Sequence, residues 1–171
     1  MEQEKLSPGK FAKNYGIILG LILVFLSVIM YVTGMQLEGK QWPMYIFYLV
    51  FPVIIIYAII QFKKQQGNLL TLGESIKVGL AVAVICALVF ALYNLLFNYV
   101  IDPEFTKQVM EAEMDRQLES GALTEEMIEQ SAPVREIFTN PLVGSTIFIA
   151  LSAIFGLIYS LIAGLIMKRE E

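Results

Sequence analysis

Asn94 and Asn98 stand one helical turn apart inside an apolar run, the most polar pair within any hydrophobic stretch of the 171-residue chain. Two amides on one helix face can bind a polar solute, but an interhelical hydrogen bond or a place near the membrane interface is the commoner use of such a pair. The remaining groups with chemical potential are carboxylates: Glu111, Asp115 and Glu119 recur every fourth residue, as do Glu125 and Glu129. Oxygen ligands so spaced could hold Ca²⁺ weakly, yet the Asp/Asn/Gly loop of an EF-hand is missing, so a solvated face is expected and no metal ligand is assigned. The sequence has no His and one Cys, Cys86, which removes Cys/His zinc sites, internal disulfides and His-activated nucleophiles. It also lacks a Walker or dinucleotide Gly-rich motif. No catalytic residue, cofactor-binding residue or nucleic-acid partner is expected, and Cys86 is read as a small core residue.

The elements that must position the asparagines are apolar helices. With 57% hydrophobic and 16% charged residues and a mean hydropathy of +0.66, the chain is too apolar for a soluble domain, whose charged fraction is about a quarter. Residues 78–101 carry no charge and, at about 1.5 Å per residue, would form a helix roughly 36 Å long against a hydrocarbon core of about 30 Å. The expected spans are residues 16–35, 44–61, 78–101 and 142–167, all in a single membrane domain covering residues 1–171. None of them contains Asp, Glu, Lys, Arg or His, residues that mark ion pathways and proton relays. The first run is too long for a signal-peptide core and is read as uncleaved, with residues 1–15 as a polar tail. Pro52 is expected to kink the second span. Thr71-Leu72-Gly73-Glu74 matches the S/T-x-x-E capping box, which starts the third helix near Leu72, and Glu74 can pair with Lys77.

Residues 102–140 form the one long polar stretch, with ten carboxylates against Lys107, Arg116 and Arg135. Asp102-Pro103 has the form of a helix cap followed by a first-turn proline, Ser120-Gly121 supplies a break, and Thr124 opens a second helix that Pro133 should bend or interrupt. The expectation is an acidic, mostly helical extramembrane hairpin between the third and fourth spans of an all-α, four-helix transmembrane bundle. In its first helix the apolar residues divide between two faces, Phe105/Val109 and Met110/Met114/Leu118. Asn140-Pro141 repeats the cap-plus-proline signal before the last span.

Small residues recur on two spans at intervals of four: Gly79, Ala83, Ala87 and Ala91 on the third, and Ser152, Gly156, Ser160 and Gly164 on the fourth. Helices in lipid associate through close packing, so these faces are expected to meet, antiparallel, with Asn94 toward the interior. Gly16 and Gly20 form a G-x-x-x-G pair on the first span, for which packing and simple tolerance weigh equally. Lys and Arg residues number eight on the side holding the tail, the middle loop and the C-terminus, and four on the other. The positive-inside rule then makes both termini cytoplasmic and puts the acidic segment outside.

Asn14-Tyr15-Gly16, Leu72-Gly73-Glu74-Ser75-Ile76-Lys77-Val78-Gly79 and Tyr99-Val100-Ile101-Asp102-Pro103-Glu104-Phe105 give the sequence its likeness to a known group. Over nearly its whole length it resembles the domain of unknown function 4199 family of bacterial integral membrane proteins. That resemblance implies four membrane helices with an extramembrane segment between the third and fourth, and brings no activity or catalytic residues with it.

The function expected from the residues is that of a non-enzymatic envelope protein of the inner (cytoplasmic) membrane, embedded in the lipid bilayer and presenting residues 104–135 to a protein partner. The alternative is a small solute or lipid transporter, motivated by Pro52 and the Asn pair. A homo-oligomer is compatible with either.

Overall fold

A computed structural model describes residues 7–169; Lys5 and the rest of the tail through Leu6, together with the final two residues, lie outside the described residues. All regular elements among those described are helical: α1 (Pro8–Val32), α2 (Trp42–Gln65), α3 (Leu72–Leu96) continuing into a π-helical turn (Phe97–Ile101), α4 (Phe105–Glu119), α5 (Glu125–Thr139) and α6 (Pro141–Met167). Among the described residues four stretches are long and apolar enough to cross a membrane: α1, α2, Leu72–Ile101 and α6. The chain is a membrane protein. Large apolar side chains such as Phe25, Leu49, Leu92 and Ile166 stay on the outside of the bundle, where lipid replaces water as their solvent.

The starts of α1, α3 and α6 have local causes. Pro8 sits in the first turn of α1, where its missing N–H costs nothing, so the helix begins well before the expected end of the tail at residue 15. It also stops earlier than expected: Thr33 caps it, and Gly34, at φ 69°, turns the chain so that Met35 lies in the connection. At α3 the Thr71 hydroxyl accepts from the Glu74 N–H at 3.2 Å while the Glu74 carboxylate accepts from the Thr71 N–H at 2.9 Å. Glu74 is thereby used, and it forms no ion pair with Lys77. Asn140 Oδ1 accepts from the Leu142 N–H at 3.0 Å and starts α6.

Two prolines behave differently from a simple breaker. α2 runs unbroken through Pro52. α5 also continues through Pro133, where interruption was an expected outcome; only one intrahelical bond is lost there, and the neighbouring residues are exposed enough for solvent to serve the freed carbonyl.

α3 is the central column, packing most extensively on α6 and α1. A Cβ added to Gly156 would collide with the Cβ of Ala83, and one added to Gly79 with the Cβ of Ser160. One added to Gly164 would lie 2.9 Å from the Ser75 Cβ. Each step of four along α3 is thus matched by a step of four back along α6, an antiparallel register that puts Ala87 level with Ser152. The Ser75 hydroxyl donates to the Ser160 carbonyl at 2.8 Å within this seam, an interhelical bond worth about 1 kcal/mol in lipid. On the other side of α3, Gly16 and Gly20 of α1 come so close that an added Cβ would stand 2.7 Å from the Cβ atoms of Ile85 and Val89 respectively. α2 closes the bundle with Phe51, Ile55, Ile59 and Phe62 buried.

At one end of the bundle the chain is tied by an isolated bridge: Leu70 N–H donates to the Arg169 carbonyl at 2.9 Å and Arg169 N–H to the Leu70 carbonyl at 3.0 Å. Lys63 Nζ donates to the Met167 carbonyl at 2.7 Å. α4 and α5 lie at the opposite end.

The α3–α6 seam predicts an asymmetry between two similar substitutions. Gly156→Leu should destabilise the protein in detergent by about 1–3 kcal/mol through overpacking, whereas Ile154→Leu, at a half-exposed position, should cost much less. Thermal unfolding of both variants checks this, and equal losses would exclude the seam as the main interface.

Candidate functional site

The chemically distinctive residues converge where the bundle meets α4. Asn94 Nδ2 donates to Ser145 Oγ of α6 at 3.0 Å, and Asn98 Nδ2 donates back to the Asn94 carbonyl at 2.8 Å and to its Oδ1 at 3.1 Å. The Thr106 hydroxyl of α4 donates to Asn98 Oδ1. One connected polar chain therefore runs from α6 through α3 to α4, with Asn98 and Ser145 both buried. Satisfied networks of this kind hold elements in one arrangement, because breaking a link strands a buried amide.

The π turn makes this placement possible. Asp102 N–H donates to the Phe97 carbonyl at 2.9 Å, five residues back, so the last turn of the third span is wider than an α-helical one. Phe97 and Asn98, adjacent in sequence, are both buried, while Tyr99, Val100 and Ile101 face outward. The third span ends at Ile101 as expected, its last turn being π-helical. The expected role of Asp102-Pro103 is corrected: α4 starts at Phe105, Glu104 occupies its cap position without a side-chain bond, and the Asp102 carboxylate instead accepts from the Tyr31 hydroxyl of α1 at 3.2 Å.

The Phe105 ring packs edge-on against Tyr31 and Phe97, with centroids 4.8 and 5.6 Å away, and Tyr31 and Phe97 are themselves 4.8 Å apart. Beside this aromatic cluster lies a cavity of about 330 Å³ between α1, α2, α3, the π turn and the first turns of α4. Asn94, Asn98 and Thr106 line it and also line a neighbouring cavity of about 230 Å³ toward Ser145 and the start of α6. A third, about 370 Å³ and walled by rings from α2 and α6, is almost wholly apolar.

The two apolar faces of α4 meet different neighbours, the bundle on one side and α5 on the other. Phe105 and Val109 face the cavity, and Met114, on the other face, meets Arg135 of α5. Arg116 Nη1 donates to the Leu37 carbonyl in the α1–α2 connection at 2.5 Å, and its Nη2 donates to Glu113 Oε2 at 2.6 Å. That guanidinium, followed by the Gln117 amide, holds the Glu113 carboxyl below its ordinary value. Arg135 also donates through Nη2 to the Ile128 carbonyl at 2.8 Å. Among the described residues no group of three or more His, Cys, Asp or Glu side chains is placed to hold a metal ion, and the carboxylates at 111, 115, 119, 125 and 129 are spread along helix faces.

Sequence spacing singled out Asn94 and Asn98 but not their partners Ser145 and Thr106, nor Tyr31, Gln36, Gln41 and Tyr93, which complete the cavity wall. No local signal reveals the π turn; the adjacency of Phe97 and Asn98 on a buried side emerges only in three dimensions.

Residues 14–169 match the model of a family described as "Protein of unknown function (DUF4199)". No curated protein and no solved structure matches the chain.

The Glu113–Arg116 pair makes the α4 anchor pH-dependent. Because the folded carboxyl titrates below its ordinary value, its stabilisation is complete above that value and is lost as pH falls through the folded one. The pair is largely exposed, so the effect should be only a few tenths of a kcal/mol. Hydrogen exchange in residues 116–120, corrected for intrinsic rates, should quicken as the native protein is acidified below the ordinary carboxylate range, and Glu113→Gln should abolish that acceleration.

Proposed function

The chain belongs to the DUF4199 family, whose description assigns no activity, and from its geometry we propose a non-enzymatic protein of the bacterial inner membrane that presents an acidic helical hairpin to a protein partner. The hairpin is the α4–α5 pair, and the positive-inside rule directs it to the exterior, with both termini in the cytoplasm. The observation that carries this proposal is the surface of α5. Met127, Val134, Ile137 and Phe138 are 49–56% exposed on a helix that none of the four candidate spans covers. Exposed apolar residues among carboxylates suit a partner with a basic-rimmed apolar groove, where burial supplies affinity and charge supplies orientation. α4 supports the same role by bearing on the bundle through Phe105 and Arg116, which gives α5 a fixed mount.

A second function, transport of a small solute or lipid, is favoured by one observation: Asn94 and Asn98 line two neighbouring cavities at the end of the bundle. A homo-oligomer is compatible with both.

Affinity purification from native membranes separates the two functions. The first expects a stoichiometric partner that is lost when residues 104–135 are deleted and weakened by high salt and by Phe138→Ser. Retention of the same partner after the deletion contradicts it. Solute flux in liposomes that survives the deletion would favour transport.

A further inference from the structure

We propose that the cavity beneath the first turn of α4 is a binding site for an uncharged amphiphile, a ring-sized apolar body with one amide, hydroxyl or carbonyl edge. Its wall has two chemistries. Met30, Met44, Phe90, Phe97 and Phe105 supply polarisable and aromatic surface, and on the other side stand neutral amides and hydroxyls. The volume, about 330 Å³, suits a small molecule, not a macromolecular segment.

The hydrogen-bond balance within the wall shows what is left for a ligand. Asn98 spends its amide N–H groups on Asn94 and its oxygen on Thr106, and Asn94 is tied to Ser145. These residues are the rigid floor. Gln36, Gln41 and Tyr93 line the same space; Gln41 is exposed and the other two half-buried, and their side chains make no hydrogen bond within the described protein, which leaves them to water or to a ligand edge. Each is neutral and can both donate and accept. A ligand edge of the same kind, carbonyl, hydroxyl or amide, satisfies them.

Charge is what the site excludes. Among the described residues no Asp, Glu, Lys or Arg lines the cavity, and the nearby Asp102 carboxylate is occupied by the Tyr31 hydroxyl. An ion entering this space would lose hydration with no counter-charge to replace it. The aromatic rings do not form an open cage for a cation, because Tyr31, Phe97 and Phe105 are packed edge-on against one another.

The walls come from the bundle and from α4 together, so occupancy should hold α4 down. A hydroxyl-bearing neutral lipid and a free solute share this chemistry. The inference deepens the second function by naming a ligand class, and its test reads binding alone, so a site that binds without transporting remains distinguishable from one that does neither.

The test uses the full chain in nanodiscs and saturation-transfer NMR with benzamide, compared with two charged molecules of similar size, benzoate and phenyltrimethylammonium. Benzamide should show saturable transfer, the two ions far less. Gln41→Leu should weaken benzamide by up to about tenfold, as for one neutral hydrogen bond lost. Val109→Phe, which fills the cavity from α4, should abolish the signal without lowering the melting temperature. Bound benzamide should also slow hydrogen exchange in residues 105–109. Adding dioleoylglycerol to the nanodisc identifies the source: competition points to a lipid hydroxyl, and its absence points to a free solute, either one within the proposed class. Absence of benzamide transfer, transfer untouched by Val109→Phe, or a stronger signal from phenyltrimethylammonium would each overturn the proposal.

Discussion

The closeness with which α3 approaches its neighbours sets everything else in the molecule. In lipid an apolar helix gains little by touching another apolar helix, so stable association needs backbones near enough for many short dispersion contacts and for polar side chains to reach across. α3 meets this need twice. Gly79 and Ala83 admit α6, whose Ser160 and Gly156 fill the same space, and the α1 glycines Gly16 and Gly20 admit Ile85 and Val89 from the other side. The bulky residue is on α3 in one seam and the small one is on α3 in the other. α3 is therefore a column from which α1 and α6 are both positioned, and α2 needs only to cover the remaining face with Phe51, Ile55 and Phe62.

The same register reaches the polar end of the bundle. Following the α3–α6 steps beyond Gly156 and Ser152 brings Ser145 beside Asn94, where their side chains bond. There the tight packing gives way to a wider π turn, cavities and a polar chain reaching α4. The division has a physical basis. A close-packed seam leaves no volume for a ligand, while widening the last turn opens space and turns Phe97 and Asn98 inward together. Two kinds of packing are thereby separated along one helix: its earlier turns meet α1 and α6 closely, and its last turns line the cavity. The acidic segment is mounted on that end, so a partner on α5 and a ligand below α4 would act on neighbouring parts of one assembly.

Much of the fold is legible in local patterns because membrane helices are governed by local rules. Length and apolarity give the four long helices, the Thr71–Glu74 box gives the start of α3, and Asn140-Pro141 gives that of α6. Spacing of small residues shows which faces allow close approach, but not that α1 competes with α6 for α3 on nearly equal terms. Pattern reasoning failed where a residue's local role yielded to a distant partner. Asp102 looks like a cap and instead meets Tyr31, 71 residues away. The two apolar faces of α4 looked ambiguous in sequence because each answers to a different neighbour, the bundle on one side and α5 on the other. The cavity was the least visible feature, since its walls come from residues spread between 27 and 109 and its π turn has no sequence signature.

The register of α3 on α6 is the claim from which the main seam of the bundle and the Asn94–Ser145 contact follow, and cysteine cross-linking in native membranes measures it directly. In a Cys86→Ala background, the pair Ala87→Cys with Ser152→Cys should oxidise readily to an intramolecular disulfide. Pairing Ala87→Cys with Ser145→Cys, displaced by roughly 10 Å along α6, should give none. Efficient cross-linking of the second pair, or equal yields from both, would contradict the register and with it the polar link from α3 to α6.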